Sequence, residues 1–331
     1  MSCLAMSDLE IVFCDVGQGD ASTIKLADGS YILIDAGPNA KNGNPISRWF
    51  AEHPEAIVRK VVITHNHRDH FGGLISLLES GRNIEEVLMM PDKALYEDPV
   101  KKDFLFLRQS IEQRVAAGTL VRTWFSGAPY EIFSDENFRL RALRPNKLPI
   151  PATQDQNVSS MVIQLERVDN PGVPIVAWGG DALLKDVCEC LSSGPGVLMG
   201  PHHGAPQDGF GSSKECAKLL KLVCPACLYI SVGTINGHQH PQKYYLFSAA
   251  ALGAVVCCSE ITPRCGKYCH VVGDVYPGNL MLGIRKPPGA VECRGSMRVM
   301  VSPSLGLRFD EFQSEFLEAV KEIENRYCKN C

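Results

Sequence analysis

Short apolar runs alternate with amphipathic stretches along most of the chain. The first three apolar runs are rich in β-branched and aromatic residues, and they lie at 9–14, 21–26 and 31–34. Such runs predict strands, and the short turns between them, which contain glycine and aspartate, predict antiparallel pairing. Stretches with helical spacing follow later apolar runs and lie at 69–80, 98–117 and 182–191. Strands that alternate with helices in this way predict an α/β fold.

The pattern runs on without an internal repeat or a low-complexity linker. We therefore expect one catalytic domain over residues 8–300, with a cysteine-rich insert at 255–295. The last segment, 305–331, predicts an amphipathic helix whose apolar face contains Phe309, Phe312, Phe316, Val320 and Ile323. This helix is expected to pack against the domain, and binding of a protein partner is the alternative.

Composition narrows the class of protein. The chain has 331 residues, is 45% hydrophobic and carries a net charge of −4, which argues against a generally cationic nucleic-acid binder. It does not exclude a nuclease, because metal ions and a local basic patch can hold phosphate. No apolar run is long enough for a membrane span, and the first ten residues do not resemble a secretion signal. Fourteen cysteines, several inside apolar runs, are typical of reduced core thiols, so we expect a cytoplasmic protein.

Residues 65–70, His-Asn-His-Arg-Asp-His, contain four metal-binding side chains directly after a predicted strand. His65 and His67 point the same way at a strand end, because strand side chains repeat every two residues. The start of the following helix turns Asp69 and His70 to a neighbouring position, so one segment can serve two metals. Imidazole and carboxylate are ligands for zinc or manganese. The sequence therefore predicts a metal site here.

Further candidate ligands follow other predicted strands. Asp181 comes after Gly-Gly, where its carboxylate could bridge two cations, cap the next helix, or do both. His202 and His203 are adjacent and are expected to point apart, one toward a metal and the other toward substrate. His238 and His240 lie in a loop, where metal ligand, phosphate donor and ordinary loop residue all remain open.

Five polar residues are candidates for supporting roles. The aspartates at strand ends, which could orient ligating imidazoles, are Asp15, Asp20 and Asp35. Ser159 and Ser160 could hydrogen-bond substrate or simply begin a strand.

The ligand pattern resembles the metallo-β-lactamase fold superfamily, through residues 65–70 and the Gly-Asp at Asp181. A nearer resemblance is to the hydrolase domain of the DNA-uptake protein ComEC and its stand-alone relatives. Blocks in register over about residues 8–255 carry this resemblance, and they lie at 15–21, 33–37, 64–74, 157–162, 180–181, 202–204, 230–233 and 237–238.

The resemblance implies an αββα sandwich of two mixed β-sheets flanked by helices. It also implies a two-metal site at one edge, with a metal-bridging hydroxide as nucleophile. Many superfamily members have a further metal-binding histidine between the segment that matches residues 65–70 and the Gly-Asp. This chain has no histidine from Phe71 to Pro201. Asn157 or water would have to complete that site, and the second metal is expected to be held more weakly.

On this basis we assign ligands to two divalent ions, zinc or manganese. One ion is assigned His65 and His67, the other is assigned Asp69 and His70, and Asp181 lies between them. One histidine of the pair at 202–203 completes the set. The other, or His238, is assigned to donate to a phosphate oxygen or to protonate the leaving group. The predicted catalytic residues are Asp69, Asp181, His202, His203 and His238.

The predicted activity is that of a phosphodiesterase or nuclease acting on DNA. Hydrolysis of a small phosphoester, lactone or thioester by the same site is an alternative, as is a non-catalytic interaction module. Arg68, with Lys41 and Arg48 nearby in sequence, favours nucleic acid, whereas the acidic net charge favours a small substrate.

A second ligand pattern lies near the end of the chain. Cys258, Cys265, Cys269 and Cys293 provide enough thiolates for a tetrahedral structural zinc, although their spacing is irregular. Reduced, unligated cysteines are the alternative.

Overall fold

The structure is a computed structural model that describes residues 8–39, 44–91, 100–146, 156–205, 213–238, 240–262, 264–265, 293–310, 312–321 and 328. Two mixed β-sheets pack face to face, and helices cover the outer face of each sheet. This is the predicted αββα sandwich.

The strands of the two sheets lie, in chain order, at β1 Leu9–Phe13, β2 Ala21–Lys25, β3 Tyr31–Ala36, β4 Val58–Val62, β5 Ile84–Met89, β6 Val121–Trp124, β7 Tyr130–Ser134, β8 Phe138–Arg144, β9 Val162–Arg167, β10 Asn170–Trp178, β11 Val197–Met199, β12 Cys227–Ile230, β13 Val255–Cys258, β14 Met297–Ser302 and β15 Gly306–Phe309. The α-helices are α1 Pro45–Glu52, α2 Arg68–Glu79, α3 Val100–Ala116, α4 Leu184–Cys190, α5 Ser213–Val223, α6 Lys243–Ala251 and α7 Phe312–Lys321. Helices α2, α3 and α4 confirm the three predicted helices, with ends shifted by one or two residues.

Both sheets are half antiparallel and half parallel. The first has the order β15-β14-β1-β2-β3-β4-β5-β6, and β3 to β6 are parallel. The second has the order β13-β12-β11-β10-β9-β8-β7, and β10 to β13 are parallel. The antiparallel pairing of β1, β2 and β3 confirms the sequence prediction. In each sheet the parallel strands are joined by helices, which is the usual way to connect such strands.

The apolar runs form three layers of core. Between the sheets, the ring of Phe13 lies 6.1 Å from that of Trp178 and 5.3 Å from that of Tyr229, measured between centroids. One outer layer packs the first sheet against α1, α2 and α3, and the other packs the second sheet against α4, α5 and α6. Since β3 is buried on both faces, its first four residues are a continuous apolar run instead of an alternating one.

Helix α2 lies unusually close to the end of β3. The backbone N–H of Gly73 donates to the carbonyl oxygen of Gly37 over 2.8 Å. A Cβ at Gly73 would collide with the carbonyl oxygen of Ala36 and with the side chain of Asn44. A residue without a side chain is therefore needed for this approach. The close packing places the first turn of α2, which carries Asp69 and His70, against the end of β3.

The tail differs from the sequence prediction. Residues 305–331 were predicted to be helical from their start, yet 306–309 form β15 and the helix begins at Phe312. The reason is the pairing of β15 with β14, which places Leu307 opposite Val301 and Phe309 opposite Val299. The first sheet therefore continues past the predicted domain boundary at residue 300. In the same way β13, placed at the start of the predicted insert, is a paired strand of the second sheet.

Helix α7 packs against the body of the protein, as predicted, over the part that the structure describes. Phe316 is buried in the core between the sheets, and the side chain of Gln313 accepts a hydrogen bond from Arg294 Nε over 3.1 Å. The side chains of Phe312, Val320 and Ile323 lie outside the described part. Among the described residues, no helix is both long and apolar enough to cross a membrane.

Candidate metal centre

The predicted ligands meet at one edge of the sandwich, where the carboxyl ends of parallel strands from both sheets lie side by side. Asp35 lies at the end of β3 and His65 follows β4, both in the first sheet. Asp181 follows β10 and the pair at 202–203 follows β11, both in the second sheet. Open α/β sheets bind ligands at this end of their strands. Residues separated by more than a hundred positions are thereby brought to one place.

Six of the predicted ligands form two groups of three. In the first group, one ligand atom from each of His65, His67 and Asp181 lies within 4.8 Å of the others. In the second group the same holds for Asp69, His70 and His203. His65 and His67 therefore fall in one group, and Asp69 and His70 fall in the other, which is the division proposed from strand and helix geometry.

Asp181 lies between the two groups. Its Oδ2 is 3.5 Å from His65 Nε2, and its Oδ1 is 3.2 Å from His70 Nε2. Oδ1 is also 3.6 Å from His203 Nε2, and Oδ2 is 3.8 Å from His202 Nε2. One carboxylate oxygen therefore faces each group. This arrangement suits a carboxylate that bridges two cations.

The orientation of the histidines suits metal binding. His70 Nδ1 donates to Asp35 Oδ2 over 2.8 Å, and His203 Nδ1 donates to the carbonyl oxygen of Ser231 over 3.0 Å. A proton held on Nδ1 leaves the lone pair of Nε2 directed at the centre. Within the described residues, the Nε2 atoms of His65, His70 and His203 and Oδ1 of Asp181 are buried without a hydrogen bond partner. Since buried polar atoms are normally satisfied, this donor set fits divalent metal ions.

The charges of the centre stabilise one another. Burial alone would lower the pKa of His70, yet the carboxylates of Asp181 and Asp35 outweigh burial and raise the pKa well above its usual value. Burial likewise lowers the pKa of His203, and Asp181 and Asp20 more than reverse that effect. Burial would raise the pKa of Asp181, but the three neighbouring imidazoles keep it well below the usual range. In the metal-free protein, protons on histidines thus balance the carboxylates.

An unusual backbone turn brings both adjacent histidines to the centre. His202 and His203 each have φ near +52°, and the N–H of His202 donates to the carbonyl oxygen of Gly180 over 2.7 Å. Extended neighbours would point apart, as the sequence predicted, but this left-handed turn directs both rings toward Asp181. His203 is 2% exposed and lies at the base, whereas the His202 side chain is 25% exposed and lies at the mouth.

Outer partners hold the ligands in place, including two of the three predicted aspartates. Asp35 binds His70, and Asp20 Oδ1 lies 3.2 Å from His203 Nδ1. Asp15 accepts a hydrogen bond from the N–H of Gly17 over 3.3 Å. Ser160 has a structural role, because its hydroxyl oxygen accepts from the N–H of Asp181 over 3.0 Å.

Thr64 is a contributor that sequence reasoning missed. Its N–H and its hydroxyl both donate to the Asp35 carboxylate over 2.8 Å, which fixes Asp35 against His70. Nothing in the local sequence distinguishes this threonine from others at strand ends. Its role depends on the pairing of β3 with β4, which only the fold establishes.

The loop after β12 forms one wall of the centre. The ring of His240 is 6% exposed, and its centroid lies 5.7 Å from that of His202 and 6.2 Å from that of His203. Its Nδ1 has no hydrogen bond partner in the described part of the chain. Burial, and then the neighbouring imidazoles, lower the pKa of His240 to about 4. His238 is exposed and stacks on His240 with centroids 5.6 Å apart, so its catalytic role stays a prediction.

Asn157 lies beside the mouth of the centre, in the region where the sequence offers no histidine. Its side-chain amide nitrogen donates to His202 Nε2 over 3.4 Å. Asn157 therefore contacts His202, which is not a member of either ligand group. Of the predicted cysteine ligands, Cys258, Cys265 and Cys293 are described, and Cys269 lies outside the described residues.

Two sheets between helices, with histidine and aspartate ligands at the strand ends, define a class of metal-dependent hydrolases. The chain belongs to the metallo-β-lactamase superfamily, whose family model matches residues 14–207. No curated protein matches the chain.

Several solved structures are similar to it. Unliganded yeast PDE1 shares 13% identity with a TM-score of 0.44, over 76% of this chain and 98% of that one. A long form RNase Z from yeast shares 12% identity with a TM-score of 0.39, over 73% of this chain and 40% of that one. A metallo-β-lactamase from Hirschia baltica shares 16% identity with a TM-score of 0.29, over 55% of this chain and 70% of that one.

Proposed function

We propose that this protein is a dinuclear metal-dependent phosphodiesterase that acts as a nuclease on DNA. The observation that carries the proposal is the division of the Asp181 carboxylate between two ligand groups, with Oδ2 facing His65 and Oδ1 facing His70. A single structural metal would need only one such group. Two adjacent groups joined by a carboxylate are the arrangement of two-metal hydrolases, which include phosphatases and nucleases as well as aminopeptidases.

Zinc or manganese ions would be held by the residues of the two groups, His65, His67 and Asp181 for one ion and Asp69, His70 and His203 for the other. When bound, such ions activate water near neutral pH and offset the charge that develops on a phosphoryl group. His202 extends the first group, because its Nε2 lies 3.8 Å from Asp181 Oδ2. It takes the place of the histidine that this chain lacks before Asp181.

The protein orients these ligands through their outer partners. Asp35 keeps the proton of His70 on Nδ1, and the carbonyl oxygen of Ser231 does the same for His203. The Ser160 hydroxyl accepts a hydrogen bond from the N–H of Asp181 and so fixes the backbone that carries this carboxylate. Ligand positions are thus set before substrate arrives, which lowers the cost of reaching the transition state.

Substrate reaches the centre from the side of His67, His202 and Asp69, whose side chains are partly exposed, while His65, His70 and His203 are buried. His240 lies at the border of the buried set. A pKa of about 4 keeps its imidazole neutral at pH 7. We assign it to donate a hydrogen bond to a phosphate oxygen, since a neutral ring is a donor but a poor acid.

DNA as the substrate rests on the ComEC-like sequence blocks, several of which contribute to the centre. The blocks at 15–21, 33–37 and 202–204 contain Asp20, Asp35 and His203, and each of these contacts the centre. One observation favours the smaller substrates instead. The guanidinium of Arg68, a candidate phosphate contact, is paired with Asp103 at 2.7 Å. Hydrolysis of a small phosphoester, lactone or thioester is therefore the second candidate.

The test begins with metal-free protein loaded with manganese or zinc. It is incubated with single-stranded DNA, double-stranded DNA, a bis-aryl phosphate, a lactone and a thioester. Cleavage of DNA together with the bis-aryl phosphate supports the proposal. Turnover of the bis-aryl phosphate, the lactone or the thioester without any cleavage of DNA overturns it in favour of the second candidate. Failure on all five substrates with either metal favours a non-catalytic interaction module.

Matched variants show whether the centre performs the reaction. Asp181→Asn should abolish cleavage and reduce bound metal, because the amide cannot bridge two cations. His53→Gln is the control, since its ring stacks on Trp49 at the end of α1 and is not part of either ligand group. Equal retention of activity in both variants would point to a contaminating nuclease, and equal loss would point to general unfolding.

A further inference from the structure

Four cysteines come together at a second place, distinct from the histidine–aspartate centre. They belong to four segments: the end of β13, the turn at 262–265, the segment before β14, and the residue described after α7. We call Cys258, Cys265, Cys293 and Cys328 the thiol cluster. Cys258 and Cys265 are 4% and 7% exposed, and the other two are half-buried. Cys293 and Cys328 both pack at the edges of the same two apolar cores.

Backbone hydrogen bonds hold two members of the cluster together. The N–H of Arg294 donates to the carbonyl oxygen of Cys258 over 2.8 Å, and the N–H of Cys293 donates to that of Ser259 over 3.0 Å. These hydrogen bonds connect the end of β13 to the segment before β14. Cys258 and Cys293 are consequently neighbours even though they are far apart in sequence.

A tight turn and α7 bring the other two members. The N–H of Cys265 donates to the carbonyl oxygen of Thr262 over 3.0 Å, and the Cys265 sulfur accepts from the N–H of Thr262 over 3.2 Å. The Cys258 and Cys265 thiols interact with each other, and Cys328 lies within electrostatic range of Cys258 and Cys293. Cys328 also packs against the same two apolar cores as Cys293.

We propose that Cys258, Cys265, Cys293 and Cys328 bind one zinc ion in a structural site. Thiolate sulfur is the ligand that zinc prefers in closed, four-coordinate sites, and four thiolates leave no position open for substrate. Buried thiols are normally neutral, but a bound zinc ion removes their protons outright. The site uses Cys328 in addition to three of the four cysteines that the sequence pattern predicted.

Binding would tighten the cluster. In the part of the chain that the structure describes, no three of the sulfur atoms lie within 4.8 Å of one another, whereas ligands of a tetrahedral zinc lie about 3.8 Å apart. Binding therefore requires the four side chains to move closer together. The ion would then join the two residues that flank 266–292 to the chain end beyond α7. A metal that closes long loops in this way stabilises the folded state through the entropy of the unfolded chain.

Cobalt provides the sharpest test. Full-length protein is stripped of metal under reducing conditions and titrated with cobalt(II), and the near-ultraviolet thiolate-to-cobalt charge-transfer band is recorded. Oxygen and nitrogen ligands do not produce this band, so it reports binding by thiolates and not by the histidine–aspartate centre. The expected result is a band that saturates at one cobalt per chain and disappears on addition of zinc. A titration without the band overturns the proposal.

Variants assign the band and separate this site from the proposed hydrolytic centre. Cys328→Ser and Cys265→Ser should each weaken the band and the affinity for zinc, because each removes one of the four thiolates. Cys328 is half-buried, so its replacement disturbs the packing less than that of Cys265. Cys224→Ser, at an exposed cysteine after α5, should change neither. Asp181→Asn should keep the band while losing metal at the other centre, so the two proposals fail independently. A disulfide between Cys258 and Cys265 in protein purified without reductant, with no zinc, also overturns this one.

Discussion

Asp35 Oδ2 lies 2.8 Å from Nδ1 of His70, and this contact links the end of β3 to the first turn of α2. The backbone of Asp35 has φ near +56°, a conformation that aspartate and asparagine adopt more readily than other residues with a side chain. The other oxygen accepts from the N–H of Thr64 over 2.8 Å. One side chain thus fixes both the proton on His70 and the strand end that precedes His65.

Asp35→Asn should weaken metal binding by about 10- to 100-fold, the usual effect of losing an outer partner of a ligating histidine. Asparagine tolerates the same backbone conformation but can present its amide N–H to His70, which moves the imidazole proton toward the metal. Competition with a fluorescent chelator would measure the affinity. Asp28→Asn is the control, because that aspartate binds Ser30 and Arg59 at the surface. Equal affinity in both variants would show that Asp35 does not orient His70.

Metal affinity should increase with pH. The pKa values of His70 and His203 are raised by Asp181 together with Asp35 and Asp20, so both rings hold protons in the metal-free protein at neutral pH. An ion must displace these protons, so affinity should fall about tenfold per pH unit for each proton released as the solution is acidified. Calorimetry in two buffers with different ionisation enthalpies would count the protons. Binding without proton release would contradict the assigned protonation.

Gly180→Ala should disrupt the centre more than an ordinary glycine replacement. Gly180 has φ near +49°, and an added Cβ would collide with the Ser160 hydroxyl, which holds the N–H of Asp181. Gly172→Ala is the matched control, because Gly172 has φ near +84° but open space around it. The control should lose about 1–2 kcal/mol from the left-handed backbone alone. Denaturant unfolding and metal content should show a larger loss for Gly180→Ala, and equal losses would contradict a role in placing Asp181.

Arg294→Met should destabilise the fold by about 3–5 kcal/mol, because Asp310 would keep a buried charge without its partner. Arg294 also donates to Gln313 and lies over the ring of Phe316, so it anchors α7. Arg308→Met removes an exposed pair with Asp8 and should change the free energy of unfolding by less than about 1 kcal/mol. Chemical denaturation measures both. A small effect of Arg294→Met would mean that α7 is not anchored through this pair.

The local sequence pattern was sufficient to predict most of the strands and helices and most of the residues that meet at the candidate metal centre. The alternation of strands and helices predicted the α/β class, and the resemblance of the ligand blocks predicted the sandwich that the structure confirms. The grouping of His65 with His67 and of Asp69 with His70 followed from the geometry of a strand end and a helix start. These inferences involve residues a few positions apart, for which covalent geometry restricts the relative directions of side chains.

Contacts between segments that are distant in sequence could not be predicted from the local pattern, and only the tertiary structure shows them. The left-handed turn at 202–203 directs both histidines toward Asp181, although neighbouring side chains were expected to diverge. His240 rather than His238 is buried beside them, and 306–309 pair with β14 instead of starting a helix. Cys328 packs at the edges of the same two cores as Cys293. Periodicity describes which face of an element is buried, but it carries no information about which distant segment covers that face, and packing of the whole chain decides this.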